Sequence, residues 1–182
     1  MDMRNETSLA LPGHPEQPIR ITMTLPTNAY FLSGIRDFTF SLAKNVTGFS
    51  EQWAYRCQAV IDELCNNAIE HGSKPGDSVT ICIESIVGKY IEFSVEDNGS
   101  GHPVNAEEMN KLIHERKIPS YIQHIGVRGR GLPQIVIGWT DELEFSDLKP
   151  HGLKVRARKY FDKAHETQSV PNRFSLKTFA LT

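Results

Sequence analysis

Cysteine is scarce in this 182-residue chain: Cys57, Cys65 and Cys82 are odd in number and lack CxxC spacing. They predict neither a disulfide framework nor a cysteine-built zinc site, and read as reduced thiols of the interior. Long apolar runs are missing too. No stretch approaches the ~20 residues that span a bilayer, and the N-terminus lacks a basic segment leading into an apolar core and cleavage site. A cytoplasmic protein without membrane attachment is expected. Charge of one sign is also wanting: 20 basic residues against 22 acidic ones give a formal charge of −2, which argues against direct nucleic-acid binding. The common nucleotide motifs are absent. There is no GxxxxGK[ST], neither glycine pair extends to GxGxxG because Val104 and Gln134 fill the third-glycine position, and the catalytic-loop and DFG motifs of ordinary protein kinases do not occur. Four histidines, His71, His102, His114 and His124, have no HExxH-like spacing, which disfavours a metal hydrolase.

What is present suits one domain, given ~100 to 200 residues per domain. Residues 1–18 are polar and contain Pro12, Gly13, Pro15 and Pro18, so a flexible leader is expected before Ile19. Ile19, Ile21, Met23 and Leu25 alternate as in a half-buried strand that Pro26 ends. Asn28 to Val46 repeats apolar residues at helical spacing until Gly48, and a second helix runs from its N-cap Ser50 to about His71, where Gly72 stops it. Ser78 to Ile86 and Tyr90 to Glu96 predict a hairpin. His102 to about Arg128 is polar, with a short helical pattern from Ala106 to Glu115, and is expected to form a lid. Gly131 to Ile137 predicts a helix with Pro133 in its first turn, and Trp139 is expected to pack its end. Glu142 to Ser146 and Leu153 to Tyr160 read as closing strands, leaving 162–182 as a tail. The order predicts an α+β fold, a two-layer sandwich with helices on one face of a mostly antiparallel sheet.

Three segments carry candidate chemistry. In Glu63-Leu-Cys-Asn-Asn67-Ala-Ile-Glu-His71-Gly72, Glu63 and Asn67 fall about 40° apart on a helix and would border a cleft. An amide oxygen suits a magnesium shell, and a carboxylate one turn away can orient or deprotonate a hydroxyl. An ordinary polar helix face would look the same. In Asp97-Asn-Gly99-Ser-Gly101, after a strand, ionised Asp97 can only accept hydrogen bonds and could take the amino proton of adenine, while Gly99 and Gly101 allow close backbone approach. A plain Asn-Gly turn competes with that reading. In Arg128-Gly129-Arg130-Gly131-Leu132, a glycine loop opening a helix can bind phosphate through backbone N–H groups, with the arginines adding charge.

Taken in order, these segments resemble the N, G1 and G2 boxes of the GHKL (Bergerat-fold) ATPases. Within them the likeness is closest to the bacterial anti-sigma factor/serine-protein kinases of partner-switching systems, over about Ile19 to Tyr160. The resemblance implies an ATP-binding domain at 19–161, with Asn67 as the Mg²⁺ ligand and Glu63 as the catalytic base. It implies Asp97, Gly99 and Gly101 around adenine, with Gly129, Gly131 and Leu132 matching the phosphate-side box and Arg128 and Arg130 beside it. ATP/ADP and Mg²⁺ would be the cofactors, and a STAS-type anti-anti-sigma protein and a sigma factor the partners, with a homodimer also within the family's habit. Pro133 departs from the bulky residue more usual after the G2 leucine. A nucleotide-gated binding regulator without kinase activity is the alternative. The catalytic half of a histidine kinase is disfavoured, since only eighteen residues precede Ile19. Lys154, Arg156 and Arg158 share one strand face, either a solvated surface or a dock for an acidic partner.

Overall fold

The computed structural model describes residues 17–101, 105–116 and 136–162. Five strands form one antiparallel sheet in the order β1-β2-β3-β5-β4: β1 Ile19–Pro26, β2 Ser78–Ile86, β3 Tyr90–Glu96, β4 Glu142–Asp147 and β5 Leu153–Tyr160. The helices are α1 Leu32–Leu42, α2 Glu51–Asn67, α3 Ala106–Arg116 and the short α4 Ile137–Trp139. This is the expected α+β sandwich.

Register explains why the helices cover one face only. Ile21 pairs with Ile83, Ile83 with Phe93, and Phe93 with Ala157, so one side of the sheet is a continuous apolar row. Side chains alternate faces along a strand. Ile81, Ile83, Ile91, Phe93 and Val95 are buried from that side beneath Leu32, Ile35 and Leu42 of α1 and Cys57, Val60, Ile61 and Leu64 of α2. Cys57 and Cys65 are buried, as expected, whereas Cys82 is only partly buried rather than interior. Burial pushes the Cys65 thiol up to about 12, with Asp62 adding to the effect, so it stays a neutral core group.

The opposite face carries the other parity. Lys154 pairs with Glu96 at 2.8 Å. Arg156 reaches Glu92 at 2.8 Å, Glu142 at 3.0 Å and Glu144 at 2.8 Å, and Arg158 reaches Glu92 at 2.5 Å. The basic strand row is thus met by the chain's own carboxylates on β3 and β4. At the β1 end Arg20 and the Tyr90 hydroxyl both bind Glu84, at 2.8 and 2.5 Å.

The helix boundaries follow from caps. Ser50 Oγ accepts from Trp53 N at 3.3 Å and starts α2. The first helical pattern begins with a 3₁₀ turn at Ala29–Phe31 behind Asn28 and ends in a wide π turn, Ala43–Thr47, closed by Gly48 at φ 93°. Asn105 and Glu108 form a reciprocal box at the start of α3: Glu108 N donates to Asn105 Oδ1 at 2.8 Å and Asn105 N to Glu108 Oε2 at 3.4 Å. Asp147 on β4 accepts from Ala106 N at 2.8 Å and fixes that start against the sheet. Behind α4, the guanidinium of Arg56 on α2 lies 4.4 Å from the centre of the Trp53 ring and 5.9 Å from that of Trp139, which packs against the core; most of the helix expected at Gly131 to Ile137 lies outside the described residues.

Candidate functional site

The last α-helical turn of α2 holds Glu63 and Asn67, both half-buried. Asn67 Nδ2 donates to the Glu63 carbonyl at 2.8 Å and to Glu63 Oε1 at 3.0 Å. Two acceptors facing one end of the amide require that end to be the NH₂, so the carbonyl oxygen is the end left to bind something else. The i, i+4 spacing thereby converts a flexible carboxamide into a pre-oriented hard oxygen donor. The chain then leaves α2 through a π turn, Ala68–Gly72, a distortion that often marks functional positions.

That turn delivers Gly72 against the end of β3. A Cβ on Gly72 would collide with the Asp97 carboxylate, and one on Gly101 would collide with the His71 carbonyl. Gly101 N donates to Gly72 O at 3.3 Å. The first two sequence segments therefore form one wall, in which the glycines are required by close approach. On the other flank, Gly152 of the β4–β5 connection, at φ 115°, could carry no Cβ without striking the Asp97 carbonyl. The Asp97 backbone N donates to Leu153 O at 3.1 Å.

Asp97 continues the parity of Ile91, Phe93 and Val95, so it lies where the apolar face of the sheet runs out. Its Oδ1 accepts from Gly99 N at 2.8 Å and from Leu153 N at 3.1 Å. No described residue donates to Oδ2. Burial raises its pKa above the ordinary carboxylate value, and the two backbone N–H groups only partly oppose that. A desolvated carboxylate with one oxygen fixed and the other free is suited to accept from a neutral amino group.

Of the candidates named from the sequence, the structure pairs Glu63 with Asn67 and gathers Asp97, Gly99 and Gly101 with Gly72. Sequence reasoning missed Gly152, in the β4–β5 connection, and Leu153, the first residue of β5, both more than fifty residues from Asp97 and without a local motif. Most of the expected lid, together with Arg128, Gly129, Arg130, Gly131 and Leu132, lies outside the described residues, as do most of the leader and the tail. Among the described residues no group of three His, Cys, Asp or Glu could hold a metal ion. No described helix is long and apolar enough to cross a membrane.

A helical layer on an antiparallel sheet, with an acid at a strand end against the glycine turn of an acid-and-amide helix, is the architecture of an ATP-binding domain of GHKL type. Residues 25–159 match the family described as the histidine kinase-like ATPase domain, and the chain belongs to that family. No curated protein matches the chain significantly.

Proposed function

We propose that the chain is an ATP- and Mg²⁺-dependent protein serine/threonine kinase and anti-sigma factor. It would hold a sigma factor inactive and phosphorylate a serine or threonine of a STAS-type anti-anti-sigma protein, regulating transcription by partner switching. The observation that carries this reading is the Glu63–Asn67 pair, a carboxylate fixed one turn from an oriented amide oxygen. Nucleotide binding alone needs the amide; transfer to a protein hydroxyl also needs a nearby proton acceptor.

The residues divide the work. Asp97 accepts from the adenine amino group, and the bare backbones of Gly99 and Gly101 let the base approach. The donor set at Asn67 fits magnesium, a hard cation that takes one or two protein oxygens and completes its shell with water and phosphate. When bound, that ion supplies charge neutralisation to the phosphates. Glu63 orients the partner's hydroxyl and takes its proton as the oxygen bonds the γ-phosphorus and the bond to the β-phosphate breaks, leaving ADP.

The test is transfer of labelled γ-phosphate to an anti-anti-sigma protein of the STAS class. Asn67→Ala should abolish transfer and Glu63→Gln should reduce it by about 10²- to 10⁴-fold; full transfer by Asn67→Ala overturns the assignment. Nucleotide binding that requires Asp97, with no transfer to any such partner, would favour the nucleotide-gated binding regulator.

A further inference from the structure

Lys74-Pro75-Gly76-Asp77, between the acid-and-amide helix and β2, is a tight turn: Asp77 N donates to Lys74 O at 3.0 Å and Gly76 takes φ 97°, as the third residue of a Pro-Gly turn requires. The turn points Asp77 at two other segments as well as closing on itself. Its Oδ2 accepts from Lys74 N at 2.7 Å and from the hydroxyl of Ser100, which stands between Gly99 and Gly101. Asn98, whose Oδ1 accepts from Ser100 N at 3.4 Å, also turns toward this carboxylate. The Asp77 carbonyl accepts from Thr27 N at 3.0 Å and Thr27 Oγ1 at 3.3 Å, which ties in the connection from β1 to α1.

The other ties of the Asp97–Gly101 turn lie at its ends and along the side facing Gly152, where Gly99 N donates to Asp97 Oδ1 at 2.8 Å and Gly99 packs on the Gly152 backbone. Asp97 and Leu153 fix its start, and Gly72 O fixes Gly101 at its end. Ser100, between them, bonds to its neighbour Asn98 and to Asp77. A turn rich in glycine has more conformations to lose than any other, so a clamp at its middle sets how often the backbone stands where a base can approach.

We propose that Asp77 is a positioning residue for the nucleotide, holding the Asp97–Gly101 turn in its binding conformation through Ser100. It touches no nucleotide itself, and the inference rests on the nucleotide-binding reading of Asp97. The carboxyl of Asp77 is held below the usual carboxylate range, first by the Ser100 hydroxyl and then by the Lys74 amide and Asn98, so the clamp persists in mildly acidic solution.

The experiment pairs calorimetric titration of the full chain with ADP and Mg²⁺ and amide hydrogen exchange of the nucleotide-free protein, on wild type, Asp77→Ala, Asp77→Asn, Ser100→Ala, the double variant Asp77→Ala/Ser100→Ala and Asp97→Asn. Asp77→Ala and Ser100→Ala should each weaken ADP about tenfold, and the double variant no further than Asp77→Ala alone, since coupled partners are not additive. Asp77→Asn keeps an oxygen for both donors and should bind nearly as wild type. Without nucleotide, amides of residues 98–101 should exchange faster in Asp77→Ala while those of β2 and β3 do not change, a local loosening that a general loss of stability would not produce. Undiminished affinity in Asp77→Ala, with Asp97→Asn impaired, overturns the clamp alone. Absence of binding by wild type overturns it together with the nucleotide reading. Unchanged exchange at 98–101 overturns it whatever the affinities.

Discussion

The two faces of the sheet are made from the same five strands, yet they bury unlike things. Toward the helices, Ile81, Ile83, Phe93 and Val95 exclude water by area alone. On the open face Glu92 is almost as sheltered, its side chain 14% exposed, but only because Arg156 and Arg158 from the neighbouring strand close over it. One face is held by packing without direction, the other by charge pairs whose geometry must match strand by strand. Asp97 stands at the boundary: it has the parity of the apolar face and the chemistry of the polar one, which is why its carboxyl is raised while Glu84 on the open face is lowered. Burial alone would push Glu84 up as well; the Tyr90 hydroxyl and Arg20 outweigh it.

Three changes would break or sharpen that contrast. The largest effect is expected on the packed face, where Phe93→Ala should cost about 3–5 kcal/mol in urea unfolding at any salt concentration. On the charged face Glu92→Ala leaves two arginines short of a partner. It should cost about 1–2 kcal/mol, between the values for exposed and buried pairs, and the loss should shrink in high salt. Equal salt sensitivity of the two variants would erase the distinction. The smallest effect concerns the boundary. A raised folded-state value means that ionised Asp97 costs stability above that value and that the cost disappears as pH falls below the unfolded value. Asp97→Asn should therefore raise Tm slightly at pH 7 and not at pH 3, while abolishing nucleotide binding. Glu84, with its lowered value, should give the opposite trend, contributing stability at neutral pH that is lost on acidification through its folded value.

Much of this was legible in the residues. All five strands were located, β1 from its alternation and the others as β-rich runs between turn residues, with β2, β3 and β5 at their observed limits. Ser50 and Gly48 marked helix ends through caps that need those residue types. The Asn105–Glu108 box was equally readable and would have firmed the short helical pattern that follows it. What stayed hidden was whatever depends on register: that Arg156 would find Glu92, Glu142 and Glu144, or that Gly152 would press on Asp97. Those meetings are set by which strands pair, and β5 inserts between β3 and β4, an order that no local pattern encodes. The candidate site divides the same way. Its helix and turn were visible as spacing, whereas the Asp77 contact joins residues 23 positions apart across the end of the sheet.

The stacking of Arg56 on two indoles has an optical consequence. The chain has two tryptophans, and both lie against that one guanidinium, with Lys159 also 4.5 Å from the Trp53 ring. All of the protein's indole emission thus originates at a single junction between α2 and α4. The molecule carries its own spectroscopic label there, and a shift in that emission would report on the junction without any dye or added residue.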